Sequence, residues 1–268
     1  MGNTKISWTQ ATWNPVVGCA HVSQGCDHCY AAREASGRLA HLPQYAGLAE
    51  DGRFTGEVRP LYERLDQPRR WKRPRQVFVN SMSDLFHGEV SEPFIAAVWW
   101  TMAACPQHRF QILTKRPQRM AELLTSEMPW QWGNSDDGLT QLTWPLANVW
   151  VGVSVENQTY AWRTRWLAEA AAAHRFVSFE PLLTRIDKVD LTGIEWAIIG
   201  SESGSGRPTD PDWVRRLVAI CREQGVQVHV KQLFDERSPR RPLRNVDAFP
   251  EDLRLRETPV ALVPGMPS

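Results

Sequence analysis

Six short runs of apolar residues recur along the chain and predict buried β-strands. Each run is nearly continuous in its hydrophobicity, as in "RFVSF", rather than alternating strictly between apolar and polar residues. Continuous runs suit parallel strands that other elements cover on both faces. The runs lie at residues 76–82, 109–115, 148–156, 175–182, 195–203 and 226–232.

Helical patterns separate these runs, so that strand and helix alternate along the chain. The segment "SEPFIAAVWWTMAA" offers Ser91 as an N-cap, "QTYAWRTRWLAEAAAAH" (158–174) has a helical apolar pattern, and "DPDWVRRLVAICREQG" closes at Gly225. A first strand near residues 13–18 brings the parallel strands to about seven. The alternation predicts an α/β protein with a single complete or partial parallel (β/α) barrel of about 6–8 strands. An open doubly wound sheet is the alternative, although no G-x-G-x-x-G motif follows an early strand.

Three segments break the alternation and suggest how the chain is divided. We expect a barrel over residues 1–234, with insertions near 36–75 and 127–147 that are longer than one crossover requires. The remaining residues, 235–268, are rich in proline and arginine and lack strong periodicity, so we expect a C-terminal extension there.

Charge and hydropathy exclude some classes of protein. The chain has 31 basic and 30 acidic residues, a formal net charge of +1, and so no general attraction to nucleic acid. Its longest helix-like apolar stretch, "FIAAVWWTMAAC", is too short to span a membrane. The amino-terminal residues lack the apolar core of a signal peptide. We therefore expect a cytoplasmic protein with reduced thiols.

The cysteines carry the most informative pattern. Three of the five cysteines are spaced C-x6-C-x2-C, at Cys19, Cys26 and Cys29. In a reducing compartment, clustered cysteines are typical of metal ligands or redox groups. Cys105 and Cys221 stand alone in apolar helical contexts, where we expect them to be small buried hydrophobic residues.

Three thiolates are compatible with two kinds of site. A structural zinc site takes four ligands, and His21 or His28 could complete one, although no second C-x-x-C follows at the spacing of a zinc finger. A [4Fe-4S] cluster held by three cysteines leaves one iron open to an outside ligand. Counting ligands favours neither site over the other.

Polar side chains follow every predicted strand. Active sites of (β/α) barrels lie at the carboxyl ends of their strands, so these residues predict a polar, ligand-binding mouth. After the first strand come the three cysteines. The later strand ends supply Asn80, Ser81, Ser83, Asp84, Thr114, Lys115, Ser154, Glu156, Asn157, Glu180, Ser201, Glu202, Ser203, Lys231 and Gln232.

The motifs together resemble a known family. "WNPVVGCAHVSQGCDHCYAAREA", "FVNSMSDLFH", "FQILTKRP", "NVWVGVSVEN", "FEPLL", "IIGSESG" and "VKQLF" resemble the phage Gp37/Gp68 family, also called three-Cys-motif or DUF5131 proteins. The resemblance covers nearly the whole chain through residue 234. The family in turn is similar to radical S-adenosylmethionine (SAM) enzymes, which have TIM-barrel-like folds.

The resemblance implies a cofactor site. It implies that Cys19, Cys26 and Cys29 bind a [4Fe-4S] cluster and that the open iron takes SAM, which the reduced cluster cleaves. The usual radical-SAM spacing is C-x3-C-x2-C, so the first gap of six residues is a departure in the cluster loop. The resemblance also implies an electron donor and a partner protein, the three-Cys-motif partner.

Further roles follow from the resemblance by position. His28 occupies the place of an aromatic residue near the adenine. The strand end with Ser81, Ser83 and Asp84 matches the place that binds the methionyl amino group, although the usual Gly-Gly-Glu is not present. The resemblance also implies that Ser154 and Glu156 lie at the ribose. The candidate catalytic residues are implied to lie at the substrate or the SAM carboxylate, and they are Glu180, Glu202 and Lys231.

We therefore expect a radical SAM enzyme of unknown substrate. The alternative is a zinc-stabilised phage or mobile-element binding protein without catalysis. A third interpretation is contact with nucleotides or nucleic acid through the basic segments 69–75 and 237–244, which in a chain of this charge are typical of solvated loops.

Overall fold

The computed structural model describes residues 4, 6–125, 143–204, 206–235 and 238–262, which form a mainly parallel α/β structure. The helices are α1 (Tyr30–Ser36), α2 (Glu92–Ala103), α3 (Pro117–Leu123), α4 (Arg163–Glu169) and α5 (Pro211–Glu223). The strands are β1 (Ala11–Trp13), β2 (Val16–Gly18), β3 (Ala49–Glu50), β4 (Arg53–Phe54), β5 (Val58–Pro60), β6 (Gln76–Val79), β7 (Arg109–Thr114), β8 (Val149–Ser154), β9 (His174–Phe179), β10 (Trp196–Gly200), β11 (Gln227–Asp235) and β12 (Ser238–Leu243).

The main sheet has eight strands in the order β1-β6-β7-β8-β9-β10-β11-β12. The first seven pair in parallel, and β12 pairs antiparallel with β11. Helices α2, α3, α4 and α5 provide crossovers, whereas an irregular segment joins β9 to β10. This arrangement confirms the predicted parallel α/β architecture, and the barrel is partial because β1 and β12 are the two ends of the sheet.

The two faces of each strand pack against different parts of the protein. On β6, Val77 and Val79 belong to the large apolar core that contains the helices, whereas Phe78 belongs to a separate aromatic cluster. The same alternation places Val151 of β8 in the core and Trp150 in the aromatic cluster. Since successive side chains of a strand point to opposite faces, the aromatic cluster marks the inner face of the partial barrel.

Contacts of Trp8 show how strongly the sheet curves. Its ring lies 4.7 Å from Phe78 on β6, 6.3 Å from Phe176 on β9 and 6.3 Å from Trp196 on β10. Strands β6 and β10 are four positions apart, which corresponds to about 19 Å in a flat sheet. One ring can contact all three side chains because the sheet curls around it.

The amino-terminal end of the barrel is closed by both ends of the described chain. Trp8 and Leu262 belong to the inner aromatic cluster. Gln76 at the start of β6 donates its side-chain amide to the Leu262 carbonyl at 3.0 Å, and Arg109 at the start of β7 donates to the Ala261 carbonyl at 2.9 Å. The opposite, carboxyl-terminal end carries the polar side chains.

Two predicted elements differ from those observed. The first strand of the sheet is Ala11–Trp13, because residues Val16–Gly18 pair antiparallel with Val58–Pro60 instead. The helical pattern over 158–174 gives a 3-10 turn at Gln158–Tyr160 and an α-helix that covers Arg163–Glu169. It ends there because the Ala171 amide donates to the Leu124 carbonyl at 2.6 Å, which leads the chain into β9.

The inserted segments are described only in part. Residues 36–75 contain the end of α1 and the short strands β3, β4 and β5. The segment predicted over 127–147 lies mostly outside the described residues. A boundary between barrel and extension at residue 234 stays a prediction, and β11 runs through it to Asp235. Within the described residues, no helix has the length and apolar composition needed to cross a membrane.

Candidate functional site

The cysteine loop, residues 19–29, lies between β2 and α1. Cys19 directly follows β2, Cys26 ends a single turn of 3-10 helix (Gln24–Cys26), and Cys29 directly precedes α1. The turns are closed by backbone hydrogen bonds from the Cys26 amide to the Ser23 carbonyl (2.8 Å) and from the Cys29 amide to the Cys26 carbonyl (3.3 Å). All three thiols are free and half-buried, so one loop presents them together.

The surroundings of Cys19 and Cys29 hold these two thiols in the neutral form. Burial raises the pKa of the Cys19 thiol to about 12, and the carboxylate of Asp84 adds to the shift. Burial also raises the pKa of Cys29. A metal ion binds the thiolate and releases its proton, so these sulfur atoms ionise when a metal takes the proton's place.

The donor set fits a thiolate-bound metal group in its chemistry. Three soft sulfur donors are the ligands that zinc and iron-sulfur clusters take. Among the described residues, no group of three or more histidine, cysteine, aspartate or glutamate side chains is arranged to hold a metal ion. Burial would lower the pKa of Lys115, but nearby Glu156, followed by Cys26 and Cys29, raises it above its usual value. Lys115 therefore lies close to these two thiols. This cation would stabilise the thiolates.

The first charged pair at the loop comes from the ends of β6 and β7. Asp84 is buried and accepts hydrogen bonds from the Thr114 hydroxyl at 2.7 Å and from Arg116 Nη1 at 2.9 Å. Arg116 also reaches the loop, with Nη1 3.8 Å from Cys19 Sγ and Nη2 3.4 Å from the Ala20 carbonyl. Asp84 therefore orients the guanidinium that contacts the start of the loop.

The second pair comes from the end of β8. Glu156 is fully buried, and its Oε2 accepts a hydrogen bond from Arg163 Nη1 at 2.9 Å. Its Oε1 accepts from the Ser23 hydroxyl at 2.7 Å and lies 3.5 Å from Lys115 Nζ. A Cβ on Gly25 would lie 2.6 Å from Glu156 Cγ, so the loop backbone packs directly on this carboxylate.

The third pair comes from the segment after β10. Glu202 accepts hydrogen bonds from Arg207 Nη2 at 2.7 Å and from His28 Nδ1 at 2.9 Å. Arg207 also donates to the Gln24 carbonyl at 2.7 Å and to Asp27 at 3.2 Å. Burial alone would raise the pKa of Glu202, but the bonds from Arg207 and His28 outweigh it and hold the pKa below its usual value.

The serines predicted to bind a cofactor have protein partners. Ser81 Oγ donates to Asn14 Oδ1 at 3.1 Å, and Ser83 Oγ donates to the Val16 carbonyl at 2.8 Å. Ser154 is buried, and its carbonyl accepts from Arg163 Nη1 at 2.8 Å. The two half-exposed serines lie beside the cysteine loop, whereas Ser154 lies deeper, on β8.

A further pair crosses the mouth of the barrel. Lys231 on β11 donates a hydrogen bond to Glu180, which follows β9, and both side chains are about 15% exposed. Gly200 of the intervening β10 lies beside this pair, and a Cβ there would be 3.4 Å from Lys231 Cβ, an ordinary contact. Glu180 and Lys231 therefore meet above the inner face, as their positions at strand ends predict.

Tyr30 connects this pair with the cysteine loop. It follows Cys29, and its hydroxyl donates to the Ser81 carbonyl at 2.5 Å. Burial raises the pKa of Tyr30, with Cys29 and Glu180 adding to the shift, although 41% of its surface is accessible. Tyr30 therefore lies close to both Cys29 and Glu180.

The site contains residues that the sequence pattern does not single out. Contacts with the cysteine loop or its charged pairs are made by Ser23, Arg116, Arg163 and Arg207, and Tyr30 bonds to the Ser81 carbonyl. Tyr30 and Ser23 stand within or next to the cysteine motif, and Arg116 stands next to Lys115 at a strand end. Arg163 lies seven residues after Glu156, and Arg207 lies five residues after Glu202. Only their distance from these predicted site carboxylates points to them, which is a weak signal in the sequence.

Comparison with known proteins gives a family. Residues 3–246 match the family model described as "Protein of unknown function (DUF5131)", so the chain belongs to that family. No curated protein matches the chain.

Two solved structures are similar in fold. A mutant of spore photoproduct lyase has 14% identity and a TM-score of 0.46, covering 87% of this chain and 67% of its own. Spore photoproduct lyase complexed with a dinucleoside spore photoproduct has 13% identity and a TM-score of 0.36, covering 82% and 63%. At these scores the similarity says nothing about the reaction of this chain.

Proposed function

We propose that this member of the DUF5131 family is a radical-SAM-like enzyme whose cysteine loop holds a [4Fe-4S] cluster. Cys19, Cys26 and Cys29 would be the three protein ligands, and SAM would bind at the open iron. The chemistry that such a group supplies is reductive cleavage of SAM to a 5′-deoxyadenosyl radical. The substrate is left unassigned.

The observation that carries this proposal is the position of the three thiols. They lie at the carboxyl end of a partial parallel barrel, where this architecture places its active sites. Lys115 lies beside them, and Tyr30 lies close to both Cys29 and Glu180, which pairs with Lys231. A structural metal site would not require these ionisable groups next to it.

The remaining roles belong to the same proposal. Ser81, Ser83 and Asp84 would lie at the amino group of SAM, Ser154 and Glu156 at its ribose, and His28 at its adenine. Asp84, Glu156 and Glu202 already bond to arginines of this chain, so their proposed contacts would be shared with these partners. Glu180 and Lys231 pair with each other at the strand ends and are the proposed substrate contacts.

The reaction would need two further components. A one-electron donor must reduce the cluster, and the three-Cys-motif partner protein is a second proposed interaction. A cytoplasmic location, in which thiols stay reduced, is part of the proposal.

Anaerobic reconstitution with iron and sulfide, followed by EPR of the reduced protein, tests the cluster. We expect a [4Fe-4S] signal that changes when SAM is added and is absent from Cys26→Ala. The matched controls are Cys105→Ala and Cys221→Ala, which remove buried thiols outside the loop and should keep the signal.

Two results would contradict the proposal. If zinc binds stoichiometrically while no cluster assembles, the three cysteines form a structural site and the zinc-stabilised binding protein is the better description. If the cluster assembles but its EPR signal does not respond to SAM, then the cofactor part of the proposal is wrong.

A further inference from the structure

The buried pair Glu156–Arg163 lies beneath the cysteine loop and forms no part of it. Glu156 is 0% and Arg163 is 1% exposed, so both charges are fully removed from water. Burying such a pair costs desolvation energy that its attraction often fails to recover. Stability alone therefore does not explain the pair, and its contacts with the cysteine loop indicate a second role.

Arg163 is fixed on the side away from the loop. Its Nη1 donates to the Ser154 carbonyl at 2.8 Å, and its guanidinium lies 4.1 Å from the centre of the Tyr160 ring. These contacts hold the guanidinium against β8 and the segment that follows it. Glu156, at the end of the same strand, is thus held by a cation that cannot move freely.

On the other side, Glu156 contacts the middle of the loop in two ways. Its Oε1 accepts the Ser23 hydroxyl hydrogen bond at 2.7 Å, and its methylene group occupies the space in front of Gly25. Ser23 is the N-cap of the turn that ends at Cys26, and Gly25 lies within that turn. A side chain larger than hydrogen at residue 25 would collide with the carboxylate, so loop and anchor fit only in this arrangement.

We propose that Glu156, held by Arg163, is a positioning residue that fixes the turn Gln24–Cys26, and with it the Cys26 thiol, before any group binds to the loop. The anchoring is a property of the chain itself, and its consequence for a cofactor rests on the proposed function. Both carboxylate oxygens have protein partners, which suits a group that orients the loop from below.

Of the other two charged pairs, one contacts the beginning of the loop and the other contacts the turn from its exposed side. Arg116 contacts Cys19 and Ala20 at its beginning, and Arg207 contacts Gln24 and Asp27 from the more exposed side. The Glu156 contact is the most deeply buried of the three. We therefore expect its loss to affect Cys26 more than Cys19.

Alkylation of the reduced, metal-free protein tests the anchoring. The five cysteines are labelled with iodoacetamide in pulses and quantified separately by mass spectrometry. In Glu156→Ala we expect the Cys26 rate to rise about tenfold over the wild type, because a hydrogen bond to a charged group is lost and the loop opens more often. Ser23→Ala, which removes one contact, should give a smaller rise. Glu156→Gln keeps the side-chain volume and can bond to both Ser23 and Arg163 if its oxygen accepts from Arg163 and its amide donates to the Ser23 hydroxyl, so it should restore part of the protection.

The control is Ile95→Ala, which removes a fully buried side chain of α2, outside both the loop and α5. If general destabilisation were the cause, Cys26 and the core residue Cys221 would become reactive together. We expect the ratio of their rates to change in Glu156→Ala and not in Ile95→Ala. If Glu156→Ala does not fold, Ser23→Ala and Gly25→Ala, which alters the same contact from the loop side, provide the comparison.

A Cys26 rate within twofold of the wild type in Glu156→Ala, or in both loop variants, would overturn the proposal. Cluster content is measured in parallel by iron per chain after reconstitution. If the wild type takes up no cluster while the alkylation pattern is as expected, the anchoring stands and the proposed function fails. If the wild type assembles a cluster and the alkylation rates of the variants are unchanged, the anchoring fails and the proposed cluster stands.

Discussion

The two ends of the barrel interior differ although the same strands build both. At the amino-terminal end, Phe78, Phe176 and Trp196 surround Trp8, and Trp8 lies within 6.3 Å of each ring. At the carboxyl-terminal end, β9 is followed by Glu180, which pairs with Lys231. A few residues along each strand separate an aromatic core from a charged mouth.

The difference shows that the position along a strand, and not only the face, decides what a residue does. Inward-facing residues at the closed end are covered by Trp8 and Leu262, so they are mainly aromatic, and polar ones such as His229 have protein partners. Inward-facing residues at the open end include the charged pair Glu180 and Lys231. We therefore expect substitutions at the closed end to change stability and substitutions at the mouth to change function.

The largest expected effect on stability is at Trp196. This side chain is fully buried, and its Nε1 donates to the Glu257 carbonyl at 2.9 Å. Trp196→Ala removes a large aromatic side chain and leaves a cavity, which should lower the free energy of unfolding by about 3–5 kcal/mol. Urea denaturation measures the change.

Trp196→Phe is the control, since it keeps most of the buried ring and should cost less. In the native state of both variants, alkylation of the three loop thiols should match the wild type. A loss of stability below about 1 kcal/mol in Trp196→Ala would mean that the closed end is not the principal core of the interior.

At the mouth, the free energy of unfolding should fall when a buried charge loses its partner. Asp84→Asn leaves Arg116 without its counter-charge and should lower the free energy of unfolding by about 2–4 kcal/mol, somewhat less than for a fully buried pair. Its control is Asp187→Asn, whose partner Arg185 is more than half exposed, and the expected change there is within about 0.5 kcal/mol. Equal losses in the two variants, measured by urea denaturation, would contradict the expected difference between buried and exposed pairs.

Much of the fold could be predicted because the strand pattern is local. The run over 76–82 predicts a strand, and β6 occupies its first part, Gln76–Val79. The strand ends where Asn80 adopts a positive φ of 60°, which turns the chain towards the mouth. Apolar runs identify strands well, whereas their ends depend on such local turns.

The site could be predicted in its donors but not in its connections. The spacing of Cys19, Cys26 and Cys29 is visible in the chain, whereas the bond between Ser23 and Glu156 joins residues 133 positions apart. Glu156 and Glu202 were expected at a cofactor or substrate because they follow strands. Their contacts with the cysteine loop arise from tertiary packing, which a pattern in one sequence does not contain.

The pH dependence of stability distinguishes the two ends through His229. At the closed side of the interior, its Nε2 lies 2.7 Å from Arg256 Nη1 and 3.0 Å from Ser7 Oγ. Burial, with Arg256 and Lys231, lowers the pKa of His229 from 6.5 to about 3. Between these values the unfolded chain binds a proton that the folded chain does not.

Stability should therefore fall as the pH drops from 6.5 towards 3, by up to about 1.4 kcal/mol per unit. His229→Gln removes this contribution, so its free energy of unfolding should change less over the same range. Carboxylates such as Glu202, whose pKa is also lowered, contribute below about pH 4.5 in both proteins, and the difference between the two curves isolates the histidine. Parallel curves from pH 6.5 to 4.5 would contradict the prediction.

The smallest expected effect on stability is at the Glu180–Lys231 pair, and it gives the sharpest contrast with Trp196. Replacing both partners with apolar residues of similar size, as Glu180→Leu with Lys231→Met, removes two charges without leaving either unpaired. The free energy of unfolding should stay within about 1 kcal/mol of the wild type or rise, because the desolvation cost of the pair disappears with it.

If the pair contacts the substrate as proposed, the double variant should still assemble the cluster and bind SAM but lose turnover once a substrate is known. A double variant that is several kcal/mol less stable would show that the mouth, like the closed end, is retained for folding, and the division of the interior into a stabilising end and a functional end would fail.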